Sequence, residues 1–157
     1  MIDDARIMIM ELAALGYSCA QIVMIGGLRL MGRENPDLVR AMAGLAGGAS
    51  CGAICGALTG GISLISLHTA KGLDDERPLP GGRTLAGALI KWFKEEELGG
   101  RVGLNCSDIF EAAGQSLDNG EMNPAAGCGE LVEHAWIKAV QILTENNIDP
   151  SLGRDES

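Results

Sequence analysis

The feature that most restricts this chain is the stretch from Ala41 to Leu67, which contains no Asp, Glu, Lys, Arg or His. On length alone such a run could cross a bilayer. Its composition argues otherwise: seven of its residues are glycine (44, 47, 48, 52, 56, 60 and 61), and Ser and Thr dilute the rest. Gly47-Gly48 would also interrupt a spanning helix. A buried central helix is the expected form, and no membrane insertion is expected.

Inside that run, "SCGAICGALTGG" predicts a fourth helix from about Cys51 to Thr69, with Ser50 of the right type to cap it. Gly48, Gly52, Gly56 and Gly60 recur every four residues, so on a continuous helix they form one stripe beside Ala49, Ala53 and Ala57. Each glycine gives up about 1 kcal/mol of helix propensity relative to alanine. Four of them imply that close backbone approach matters more than intrinsic helicity. The approaching partner could be another helix, a cofactor, or the twin helix of a homodimer.

The remaining sequence is punctuated for helices. Acidic residues open "IDDARIMIMELAAL" and Gly16 closes it, while Ser18 stands where a cap for "CAQIVMIGGLRLMGR" belongs. Asn35-Pro36 opens a third helix with Pro at the tolerated first position. "LDDERPLPGG" is a loop, "TLAGALIKWFKEEEL" a fifth, amphipathic helix, and "NCSDIFEAAG" a short helix begun by Asn105 or Ser107. A long loop through "GQSLDNGEMNPAAG" leads to the last helix, "ELVEHAWIKAVQILTEN". Strictly alternating Val and Thr runs are absent, and aromatics make up only 3% of the chain. At 157 residues the expectation is an all-α, compact single-domain bundle of five to seven helices around a glycine-rich central helix. That domain covers residues 1–150, with 151–157 a frayed tail.

Charge narrows the function. A formal net charge of −9 with no basic stripe disfavours nucleic acid as a partner. The N-terminus is acidic at once and lacks a basic n-region, so a cytoplasmic location is expected. There is no G-x-x-x-x-G-K-[ST], and no strand precedes "GGASCG", so a nucleotide loop is not indicated. His68 and His134, the two histidines, read as core or surface residues rather than ligands. The run "KEEEL", Lys94 to Leu98, reads as a solvated helix face. An independent enzyme has little support.

The five cysteines are Cys19, Cys51, Cys55, Cys106 and Cys128. On this helix map, Cys19, Cys51, Cys106 and Cys128 all lie at helix N-termini, where unpaired N–H groups and partial positive charge favour thiolate over thiol. Cys55, four residues after Cys51, would face the same side of one helix, as a further metal ligand or as a core residue. No C-x-x-C pair or C-x-x-C-H is present, so neither a zinc ribbon nor covalent haem is indicated. A disulfide framework suits neither the compartment nor the size. The candidate site is therefore cofactor-binding Cys19, Cys51, Cys106 and Cys128, with Cys55 as the fifth candidate metal ligand.

At these residues the chain resembles the C_GCAxxG_C_C family of small redox-active proteins. The central motif is "CGAICG", Cys51 to Gly56, with Cys19 in "GYSCAQ" upstream and Cys106 in "NCSDIF" and Cys128 in "CGELVEHA" downstream. The resemblance covers nearly the whole chain. It implies a redox or metal-binding protein of anaerobic bacteria or archaea, encoded near oxidoreductases and transporters, with related domains associated with iron–sulfur centres. It carries Cys19, Cys51, Cys106 and Cys128 as the family cysteines and leaves Cys55 at a variable position. The expected function is non-enzymatic electron transfer by a [2Fe–2S] or [4Fe–4S] cluster, with a redox partner protein or oxidoreductase. The alternatives are a thiol–disulfide or persulfide relay, a thiol-bound zinc or copper carrier, and a structural helical subunit of a redox complex.

Overall fold

The computed structural model describes residues 2–114 and 128–154, and among them the chain is all-α. Seven α-helices follow in order: α1 (Ile2–Ala14), α2 (Cys19–Leu30), α3 (Pro36–Met42), α4 (Gly56–Thr69), α5 (Gly82–Trp92), α6 (Cys106–Ala112) and α7 (Gly129–Glu145). The expected loop through 114–127 lies almost wholly outside the described residues.

Most helix starts follow the punctuation. The Gln21 side-chain oxygen accepts the Ser18 backbone N–H (3.0 Å), and the Asn35 side chain accepts the Leu38 N–H (3.0 Å). These bonds satisfy donors that a helix start leaves open. At α6 the Asp108 carboxylate accepts the Asn105 N–H (3.3 Å).

The fourth helix is the exception. It begins at Gly56, with Cys55 as its N-cap, and not at Cys51 under a Ser50 cap. Gly47, Gly48, Ala49 and Ser50 take left-handed φ values of 64°, 62°, 55° and 57°, which no right-handed helix can accommodate. One wide-turn bond and two long-range bonds replace the regular helical ones. Ala53 donates to the Gly48 carbonyl (3.0 Å) and accepts from the Cys106 N–H (2.7 Å), while Cys55 donates to the Leu104 carbonyl (2.9 Å). Extending α4 back to Cys51 would break this pairing with the strap ahead of α6.

Helix α4 is central, packed against α2, α5 and α7. The expected single stripe does not form: Gly48 and Gly52 fall in the turn ahead of α4, and within α4 the adjacent Gly60 and Gly61 pack on two different faces. Gly60 lies on α2, where an added Cβ would stand 3.1 Å from the Ala20 Cα and the Val23 Cβ. Gly61 lies against Leu89 of α5 and the α7 backbone at Ala135. The close approach is thus made within one chain, and these faces are not open to a twin helix. Leu58, Leu64 and Ile65 of α4 meet Ile22, Leu89, Phe93, Val132 and Leu143 in the core.

Ser151–Arg154, expected to fray, folds back onto the bundle. Gly153 is buried against the Arg33 guanidinium, and Arg154 donates to the Arg77 carbonyl. Residues 155–157 lie outside the described set. No helix among the described residues is long and apolar enough to cross a membrane.

Candidate functional site

Three of the expected helix-start cysteines stand where the sequence places them. Cys19 is the first residue of α2, Cys106 the first of α6, and Cys128 the N-cap of α7. The fourth helix-start cysteine is Cys55 rather than Cys51. Cys51 sits on the left-handed turn, exposed, with its Sγ–H donating to the Gly48 carbonyl (3.3 Å).

Backbone contacts bring Cys19, Cys55 and Cys106 together. The strap Leu104–Cys106 pairs antiparallel with Ala53–Cys55, with Ile54 opposite Asn105. Ser107 Oγ donates to the Gly52 carbonyl (2.9 Å) and extends the pairing by one residue. On the other side, Gly56 leaves the space into which the Cys19 sulfur fits, because a Cβ on Gly56 would overlap that sulfur. Cys19, Cys55 and Cys106 are each only 5–6% exposed, and Cys128 is half-buried.

Cys128 also feels the charges of these three. Its thiol is pushed up to about 12, first by burial and then by the charges of Cys55, Cys106 and Cys19. Cys106 is pushed up to about 11 by burial, then by Cys55 and Cys19. Cys55 is raised by burial; the backbone N–H groups of Leu58 and Ala57 pull the other way, and the charge of Cys19 adds to the rise. The expectation that helix starts would favour thiolate is therefore overturned for these three. At Cys55 loss of hydration outweighs the N–H groups aimed at the sulfur, and at Cys106 and Cys128 burial is the largest cause. Without metal, Cys55, Cys106 and Cys128 are thiols at neutral pH.

Cys55 carries a signal that the sequence reading missed. The pattern C-G-A-x-x-G occurs twice, overlapping, as "CGAICG" at 51–56 and "CGALTG" at 55–60. The first copy ends where α4 begins; the second lies on its opening turn.

All five cysteines are free thiols. Soft thiol donors in apolar surroundings suit iron–sulfur, zinc or copper(I), although no group of three or more His, Cys, Asp or Glu among the described residues already stands in a metal-holding arrangement. The histidines lie elsewhere. His68 is buried in α4, and His134 Nδ1 pairs with Glu97 (2.8 Å) in the widened turn Phe93–Glu97 that follows α5.

A family model described as "Putative redox-active protein (C_GCAxxG_C_C)" matches residues 17–142. No curated protein and no solved structure matches the chain.

Proposed function

The chain belongs to the C_GCAxxG_C_C family of redox-active proteins, and from that premise we propose that it is an electron-transfer protein holding an iron–sulfur cluster through Cys19, Cys55, Cys106 and Cys128. The observation that carries this reading is the pairing of Ala53–Cys55 with Leu104–Cys106 and the packing of the Cys19 sulfur on Gly56, which draw three buried cysteines at helix starts together, with Cys128 feeling the charges of all three. Four thiolates are the usual ligand set for such clusters. A bound cluster would supply one-electron transfer.

The chain's own residues prepare for that group. Gly56 makes room for the Cys19 sulfur. The pairing of 53–55 with 104–106 fixes Cys55 relative to Cys106. The N–H groups of Leu58 and Ala57, already directed at the Cys55 sulfur, would stabilise its anionic form once a soft cation offsets the loss of water. Cys51, carried into the ligand set by the family resemblance, is exposed on its own turn, so we assign its place to Cys55.

The test is anaerobic purification followed by iron, sulfide and visible-absorption analysis. The expected preparation is brown; Cys55→Ser bleaches it and Cys51→Ser leaves it coloured. A colourless protein that takes up no iron on reconstitution overturns the reading. A reversible two-thiol titration in that same protein would favour the thiol–disulfide relay instead.

A further inference from the structure

Helix α1 covers the bundle with one face only. Ala5, Ile9 and Leu12 are buried where α1 packs on α2 and α7, yet Ile7 and Met10 are 55% and 66% exposed. The other large exposed apolar side chains among the described residues are Leu15, just past the end of α1, and the dispersed Leu30, Ile54, Leu73 and Leu152. Ile7, Met10 and exposed Ala14 are spaced three and four apart, so they form one stripe turned away from the buried set. In heptad terms they hold positions a, d and a, and Asp3 at the preceding d position ends the apolar run. The edges of the stripe carry opposite charges. Arg6 stands at position g on one edge, and Asp4 and Glu11 hold successive e positions on the other. Arg6 is anchored there by Glu133 of α7, its Nε donating to that carboxylate (3.1 Å), while its side chain stays 56% exposed.

The order of these charges selects the occupant. Where two copies of α1 lie parallel, each g residue meets the e residue five positions on in the other helix, so Arg6 meets Glu11 of the second copy, and the reverse. In an antiparallel pair e edges meet e edges, and Asp4 would stand against Glu11, acid against acid. We propose that the outer face of α1 is a self-association surface, through which two copies of this chain pair as parallel helices with Ile7, Met10 and Ala14 in the seam. The contact is isologous: the same stripe serves both copies, and the two ion pairs are equivalent by symmetry. Each helix is already folded on its own bundle, so pairing orders only a few side chains. A seam of two helical turns buries less than a standard interface, so the pair is reversible and forms at about ten micromolar or above. It involves none of the cysteines and stands apart from the cluster reading.

Sedimentation velocity on the full chain as purified tests this, with thiols kept reduced so that no disulfide links two copies. Between about 5 and about 500 μM protomer the mass should rise from one chain to two. Met10→Glu sets two carboxylates together in the seam and should raise the dissociation constant by more than about a hundredfold. Glu11→Arg reads the orientation. In a parallel pair it puts a cation opposite Arg6 and should weaken association about tenfold, whereas in an antiparallel pair the same cation would face Asp4 and tighten it. Met10 and Glu11 are both exposed, so the melting temperature of the dilute variants should match that of the unaltered chain. A one-chain mass at about 500 μM, association undiminished in Met10→Glu, or tighter association in Glu11→Arg overturns the proposal. The first of these results would leave the face to a helix of a different protein.

Discussion

Gly56 has no side chain, and the Cys19 sulfur lies where its Cβ would be. Gly56→Ala should therefore cost about 1–3 kcal/mol through overpacking and displace Cys19 from its neighbours. Urea unfolding of the variant checks the stability, and loss of metal uptake checks the displacement. His68 makes a second residue-scale prediction. It is 3% exposed, its Nε2 has no partner among the described residues, and burial lowers its pKa below 6.5, with the Leu152 carbonyl and Asp149 opposing the fall. The folded pKa lies below the unfolded one, so its contribution to stability is intact above pH 6.5. That contribution is lost as pH falls through the depressed value, because the unfolded chain takes up a proton that the folded chain resists. Urea midpoints should fall between pH 7.5 and 5, and His68→Gln should flatten that dependence.

At the scale of elements, the turn ahead of α4 decides how the cysteines are shared out. Two L-residues, Ala49 and Ser50, sit in left-handed conformations that cost roughly 1–2 kcal/mol each. The pairing of 53–55 with 104–106 and the Ser107 bond to the Gly52 carbonyl hold them there. Ala49→Gly should stabilise the chain by up to about 1 kcal/mol, since glycine accepts φ of 55° without the clash. Gly48→Ala should do the reverse, because a Cβ there would run into the Ala53 backbone. Thermal melts of the pair should move in opposite directions; movement in the same direction would mean that strain does not govern this turn. Ser107→Ala, which frees the Gly52 carbonyl, should raise amide exchange across 48–55 ahead of global unfolding.

For the whole molecule, the proton inventory of the site sets its behaviour. Cys55, Cys106 and Cys128 titrate above the ordinary thiol value of 9.0 in the folded chain. Above that pH the unfolded chain gives up protons that the folded chain keeps, so the metal-free protein should lose stability as pH rises past 9. Substituting these cysteines by serine should reduce the loss. Metal uptake should run the other way, with affinity increasing with pH, because each bound sulfur must release its proton. Isothermal titrations in buffers of different ionisation enthalpy would count the protons released. Uptake without proton release would exclude thiol ligation.

The sequence by itself determined the helical class, most helix starts and the identity of the cysteines. Those features rest on local signals: Ser18 and Gln21, Asn35 and Pro36, Asn105 and Asp108, each acting within one turn. It also marked α4 as central, since an uncharged glycine-rich run has few other stable places. Only the tertiary structure decided where α4 begins, which of two overlapping C-G-A-x-x-G copies supplies the buried thiol, and whether those thiols are charged. The first two depend on bonds between residues about fifty positions apart in the chain, Cys55 to Leu104 and Ala53 to Cys106, which no local pattern encodes. The third depends on burial, a property of the assembled helices, which outweighs the helix-start electrostatics that the sequence could register.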